Sequence, residues 1–453
     1  MSMLQFSAMS ENAAFSQSFA QEIDIVIRNI PAHQLTSPDH AMPGLDPAVS
    51  INPFTCFGRL RDRGQDVVQY IDGRYEGVRA YNAFGRDLSQ PNFAVLGYRA
   101  LREVATDKER FINADAYGAH GKGQNAGFTF VNELDGEEHK FMRRLFESQV
   151  LSRTYFENLV ETTIGPVVDF LVLRIREMLD TGERVELNRD LALPLAYISI
   201  SRIIGIPIVD LSYFVDLADR VFAGPRDLTT AAVAAAELDA YFGKVYRDRL
   251  AVGDLDKGDL MSLMSSADLE GRRFTEREVI VYSRFMLPAA IETTWRQMAN
   301  LGYALMLHPE QYELVCRDEQ HFGAAIEEAL RWMPSGFILP RTAAVDTVLA
   351  GVAVPAGSSL YGVFGVANRD PRIWDNPDAF DIRRERKPHL TFSTGQHTCM
   401  GQHLARVSLA NYMRAVTSVL PDMILDGDPS SLRSTGFLVR CADAVPVKSR
   451  FRN

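Results

Sequence analysis

From about residue 97 onward, apolar positions recur at helical spacing along most of the chain. YFENLVETTIGPVVDFLVLRIREML, AAVAAAELDAYFGKVYRDRL and MGQHLARVSLANYMRAVTSVL each present one apolar face and one charged face, the pattern of amphipathic helices. Before that point, DVVQYIDGRYEGVRAYN alternates β-formers around Asp72-Gly73, which predicts a hairpin. Short strand signals return in DTVLAGVAVPAGSSLYG and GFLVRCADAVPVKSRF. These signals predict a mainly α protein with a small β region, an α+β fold. Residues 1–50 are rich in Ser, Pro, Asn and His and are expected to form an arm over the surface. No Gly/Ser-rich linker divides the remainder, so 51–453 is expected to be one domain.

The longest helical pattern begins at Thr275, which with Glu278 makes a capping box, and runs to Leu307. That is about 30 residues, or roughly 45 Å at 1.5 Å per residue. A helix so long and apolar has to cross an interior. Pro288 removes a backbone donor and predicts a bend. Just beyond it Glu292 and Thr293 place a carboxylate and a hydroxyl on an apolar surface, and Thr293 can bond back to the carbonyl four residues earlier. Glu292 reads either as part of a solvated face or as an acid beside an alcohol in a proton relay.

The charge balance is 48 basic against 58 acidic residues, a net −10, which disfavours sequence-independent nucleic-acid binding. No run of about 18 uninterrupted apolar residues predicts a membrane span, and the first twenty residues lack the pattern of a signal peptide. Cys56, Cys316, Cys399 and Cys441 are widely separated with no CxxC pair, so a reduced, cytoplasmic setting is expected.

Cys399 stands in TFSTGQHTCMGQHLAR, bracketed by Gly395 and Gly401. Gly395 permits a tight turn, and Gly401 permits close approach of something flat or bulky. The helical pattern starts at about Met400, so backbone amides are expected to lower the thiol pKa and favour a thiolate. Such a thiolate could be structural, could share a zinc ion with His397 and His403, or could be the axial ligand of a larger cofactor. Zinc lacks an evident fourth ligand nearby and a second short-spaced pair.

FSTGQHTCMG, Phe392 to Gly401, resembles the haem-binding signature of the cytochrome P450 monooxygenases, with Ser393 where many members have glycine. Three further segments match in order: EEALRW supplies E-x-x-R as Glu328 and Arg331, AAIETT is similar to the oxygen-activating A-G-x-D/E-T-T segment, and DGEEHKFMRR to the helix that reaches the haem propionates. The resemblance covers about residues 50–450. It implies the P450 fold, with the long helix over haem b and the cysteine loop beneath. It implies Cys399 as proximal iron ligand, Phe392 and Gly401 in its loop, His139, Arg143, Arg341 and His397 as propionate contacts, and Glu328–Arg331 as a structural ion pair. Ala290 replaces the usual glycine of the central helix, which leaves the groove's detailed geometry open.

The implied reaction inserts one oxygen of O₂ into a small hydrophobic substrate by hydroxylation or epoxidation, with Glu292 and Thr293 delivering protons. Electrons would come from NAD(P)H through a separate ferredoxin and ferredoxin reductase. Arg383, Arg384, Arg386 and Lys387 in DIRRERKPH are either the basic patch that attracts such a partner or a solvated charge run. Phe285, Ala289, Phe337, Ile338, Leu339, Leu438 and Val439 are expected above the haem, with Tyr117, Phe128 and Phe130 from a loop near the entrance. GAHGKGQNAG, within that loop, lacks the strand and helix of a dinucleotide site. A monomer is expected. A different class, a haem-thiolate binding or sensing module without turnover, is disfavoured by the retained Glu292 and Thr293.

Overall fold

The computed structural model describes residue 27 and residues 51–71, 74–75, 90–114, 116, 129–207, 210–222, 228–253, 258–436 and 439–450. The arm, the loop with Tyr117, Phe128 and GAHGKGQNAG, and Leu438 lie outside the described residues.

Two regions of unequal size pack together. The smaller holds a six-stranded sheet in the order β2-β1-β3-β6-β5-β4, built from β1 (Val67–Ile71), β2 (Arg74–Tyr75), β3 (Asn92–Val95), β4 (Phe111–Ile112), β5 (Ile338–Ala343) and β6 (Ser359–Val363). The predicted hairpin is β1–β2, an antiparallel pair with Ile71 opposite Arg74. The run from residue 347 gives a two-stranded ribbon, Thr347–Leu349 with Val352–Val354, and then β6. Apolar clusters cover the sheet on both faces, one around Phe57, Leu96 and Phe337 and the other around Phe93, Leu101 and Trp374.

The larger region is helical. Four of its helices matter to the site: α1 (Gly136–Leu145), α2 (Leu193–Ile204), α3 (Phe322–Trp332) and α4 (Gln402–Val419). The long central helix threads between them. It begins at the Thr275/Glu278 capping box, in which each side chain meets the other's backbone N–H. Glu276–Met286 is α-helical, Leu287–Glu292 widens into a π-helical turn, and Thr293–Leu307 is α-helical again. The widening coincides with Pro288, whose ring excludes the normal i→i−4 ladder. Beyond it Trp295, Met298, Leu301 and Leu305 are wholly buried in the main core. Among the described residues no helix is long and apolar enough to cross a membrane.

Candidate active site

The cysteine loop is a compact hook. Cys399 N–H donates to the Phe392 carbonyl at 2.8 Å, and Ser393 N–H to the Leu390 carbonyl at 2.8 Å. Gly395 has φ +75°, and a Cβ there would lie 2.7 Å from the Ala105 carbonyl oxygen, so glycine is required for conformation and for space. Ser393 also has a left-handed φ of +58°. Its difference from glycine, which the sequence pattern leaves without consequence, therefore carries backbone strain. The guanidinium of Arg406 lies 4.7 Å from the centre of the Phe392 ring.

Cys399 opens into a cavity of about 260 Å³. Gly401 lines it beside the sulfur; a Cβ on Gly401 would meet only Cys399 Sγ, at 3.9 Å. Cys399 is exposed to this cavity, yet the protein packed around it pushes the thiol up, against the amides of Gly401 and Gln402 and the charges of Arg143 and Arg406, which pull it down. This is the reverse of the expected lowering: one helix terminus does not outweigh desolvation by the surrounding protein.

Opposite the loop, the central helix at and around its π-helical turn presents Phe285, Met286, Ala289, Ala290 and Thr293 to the cavity. The Thr293 hydroxyl donates to the Ala289 carbonyl at 2.7 Å, the back-bond expected from the sequence. Glu292 is not among the lining residues. Its carboxylate accepts from Tyr197 Oη on α2 at 2.8 Å and from Arg296 Nη2 at 2.8 Å, and Arg296 Nη1 reaches Cys441 Sγ at 3.2 Å. Tyr197, Arg296 and Cys441 were not singled out by the sequence patterns. The Glu292/Arg296 spacing of four was legible as a helix pair; the other two come from distant segments.

One edge of the cavity carries donors. His139 and Arg143 on α1, Arg341 on β5 and His397 in the loop all line it. The two imidazole rings lie 3.9 Å apart, and Arg143 Nη1 donates to the Gln396 carbonyl at 2.9 Å. Burial, then the positive neighbours His397 and Arg143, lowers the His139 pKa to about 4, with Asp135 opposing. His139 Nδ1 is buried with no hydrogen-bond partner among the described residues. Asp135 lies 3.6 Å from His397 Nε2. With Asn113 and Asn132, which line the same edge, it was missed; only its place before the His139 helix hinted at it.

The strand register decides which apolar residues reach the cavity. On β5, Leu339 and Arg341 share the face that lines it, two positions apart. Ile338, expected there, points the other way into the sheet-side core. Phe337 is also absent from the lining: it is fully buried against Gly365, where a Cβ would fall 1.9 Å from its ring, and edge-on to Phe54 at 5.3 Å. Val439 is buried and pairs with Gly336 through an isolated bridge, again outside the lining. Phe130 backs the wall by stacking on Phe285 at 4.4 Å. His403 is exposed on α4 and borders the neighbouring groove behind Cys399.

Glu328 and Arg331 meet at 2.7 Å with side chains almost wholly buried. Arg384, expected in a basic surface patch, instead joins them, its Nε 3.1 Å from Glu328 Oε1. Lys387 Nζ donates to the Ile373 carbonyl at 2.9 Å, while Arg383 and Arg386 are exposed.

The Cytochrome P450 family model matches residues 228–416. The cytochrome P450 monooxygenase PikC of Streptomyces venezuelae is 32% identical over 411 residues, covering 88% of this chain and 91% of that protein. The chain belongs to the cytochrome P450 family. Nocardicin C N-oxygenase of Nocardia uniformis subsp. tsuyamanensis is 32% identical over 319 residues, covering 69% of this chain and 78% of that protein. Among solved structures, myxobacterial cytochrome P450 CYP267B1, in complex with myristic acid, superposes with a TM-score of 0.77 at 24% identity, covering 89% of this chain and 98% of that one. The P450 fold is thereby shared, and the chain is an oxidoreductase of the haem monooxygenase class.

The site fits a haem. The cavity pairs a cysteine sulfur, a glycine with clearance and an apolar helix with one edge of two guanidinium and two imidazole groups, where a buried ring nitrogen lacks a partner among the described residues. Planar faces suit the apolar walls, and anionic arms suit that edge.

Proposed function

We propose that Cys399 is the proximal ligand of haem b, that His139, Arg143, Arg341 and His397 receive its propionates, and that the protein oxygenates a small hydrophobic substrate. The observation that carries this reading is the single cavity that opens onto Cys399 Sγ, the Thr293 hydroxyl and all four propionate-side donors.

Bound haem supplies the redox chemistry, its thiolate ligand pushing electron density onto iron and favouring O–O cleavage. One oxygen of O₂ enters the substrate and the other leaves as water, with two electrons and two protons consumed. The chain's residues do the rest. Phe285, Met286, Ala289 and Leu339 form an apolar wall that excludes water from the reacting carbon and favours hydrophobic ligands. Ala290 adds a methyl to the same wall, where the family usually has glycine. Thr293 Oγ1 accepts and passes a proton, swapping its bond to the Ala289 carbonyl for one into the cavity. Glu292 can feed that hydroxyl only by leaving Arg296 and Tyr197, so it is a proton source held in reserve behind the helix.

Electrons come from NAD(P)H through a separate ferredoxin and reductase. Arg383, Arg386 and Lys387 are the exposed cations of the proposed docking patch; Arg384 is withdrawn from it by Glu328.

Cys399→Ser tests the reading. The wild type should give the red-shifted carbon monoxide band of a reduced thiolate-ligated haem, and the variant should lack it; a surviving band removes Cys399 as ligand. Thr293→Ala should bind haem and substrate yet divert reducing equivalents to peroxide. Unchanged coupling of electron input to product would remove Thr293 from the relay.

A further inference from the structure

The cationic edge of the cavity also holds a carboxamide that nothing among the described residues satisfies. Asn113 is 1% exposed, and neither its Oδ1 nor its Nδ2 has a hydrogen-bond partner among the described residues. Its side chain lines the cavity. Burying an amide with both ends bare is costly, and native proteins tolerate it where a ligand completes the set.

Asn113 is held firmly. It follows β4, whose antiparallel pairing with β5 sets Phe111 opposite Ala343 and Ile112 opposite Thr342, so the register brings Asn113 level with Arg341. Its backbone N–H donates to Asp135 Oδ2 at 2.9 Å, and that of Ala114 does so at 2.8 Å. Thr342 Oγ1 donates to the Ala114 carbonyl at 3.0 Å. The strand end is therefore pinned from both sides, with Asn113 and Arg341 at neighbouring strand positions lining one cavity and Asp135 reaching on to His397.

We propose that the Asn113 carboxamide is a haem-binding group of this chain, donating through Nδ2 to a haem carboxylate next to Arg341. This rests on the haem-thiolate reading above. A carboxylate is the chemistry that fits: it brings several acceptor lone pairs to a dry edge furnished with donors. A neutral amide adds a donor without adding a further positive charge to an edge already crowded with cations.

The test compares holoenzyme of the wild type, Asn113→Asp and Asn113→Leu. Each is mixed with excess apomyoglobin, and haem transfer is followed by absorbance. Asn113→Asp keeps the shape but turns a second carboxylate on the first; it should lose haem about 10- to 100-fold faster than the wild type, and Asn113→Leu, which removes the donor alone, about tenfold faster. Spectroelectrochemical titration should show a lower haem reduction potential in Asn113→Asp than in Asn113→Leu. Transfer rates close to wild type in both variants overturn the proposal, as do equal rates in both accompanied by equal losses of apoprotein melting temperature, which would mark a residue that only shapes the strand. If one variant does not fold, the other decides by its transfer rate alone. A wild-type chain that takes up no haem would instead overturn the underlying reading, before any variant is compared.

Discussion

Glu328–Arg331 and Glu292–Arg296 are both glutamate–arginine pairs one helical turn apart, and both lie inside the molecule with side chains 6% exposed or less. Their surroundings differ. Arg331 spends its remaining donors on the carbonyls of Asn368, Pro377 and Ala379, and Glu328 also receives Arg384 Nε and the Asp381 amide. That knot fastens α3 to the segment leading into the cysteine loop. Arg296 instead reaches Cys441, and Glu292 reaches Tyr197, tying the central helix to α2 and to the C-terminal strands just behind the bend. A buried ion pair persists because its spare donors and acceptors are satisfied, not through Coulomb attraction alone. The same local spacing thus serves as an anchor beneath the cavity and as a brace behind it. It also explains why Glu292 and Thr293, neighbours in sequence, do not act on the same space: adjacent helix positions do not share a face.

The comparison can be broken by substitution. Glu328→Ala should cost most, about 3–5 kcal/mol in chemical denaturation, because the buried Arg331 and the partly buried Arg384 lose their counter-charge together. Glu292→Ala should follow at about 3 kcal/mol, since the buried Arg296 loses its counter-charge. Thr293→Ala, one position along, should cost under about 1 kcal/mol. If Glu292→Ala proves as mild as Thr293→Ala, the brace is not structural, and the acid is free for the relay.

A third, less buried glutamate sharpens the contrast. Glu327 contacts His389 and Arg406; burial raises its pKa, but those bonds and charges prevail and bring it to about 2. The folded value lies below the ordinary 4.5, so the folded state favours the ionised form. Its contribution is complete above about pH 4.5 and is lost as the pH falls towards 2. Acid unfolding of Glu327→Gln should be flatter than wild type over that window, and parallel curves would show that the pair contributes nothing. The smallest effect is expected at Ser393. Glycine there should relieve the left-handed strain and stabilise the protein by up to about 1 kcal/mol, read as a small rise in melting temperature.

Much of the site could be read along the chain. The capping box, the proline bend, the threonine back-bond and the glycine hook around Cys399 are local features, fixed by side chains acting on their own backbone within a few residues. The pocket wall was less legible. Phe337 and Ile338 were expected in the cavity beside Leu339, but only alternate positions of a strand share a face, and the phase was set by pairing with β4 and β6. Arg384 looked like surface charge because its run is basic, and its burial depends on a partner fifty-six positions away.

By itself the sequence determined the mainly helical fold with its small sheet, the bent central helix and the cysteine in a turn before a helix, because periodicity, caps and glycines act over short range. Tertiary structure alone decided that Glu292 faces Tyr197 and not the cavity, that Asn113 lines that cavity with Arg341 and His139 and meets no hydrogen-bond partner among the described residues, and that the protein packed around Cys399 works against its helix amides. Each of those outcomes depends on which distant groups surround a side chain, and one chain segment carries no record of that.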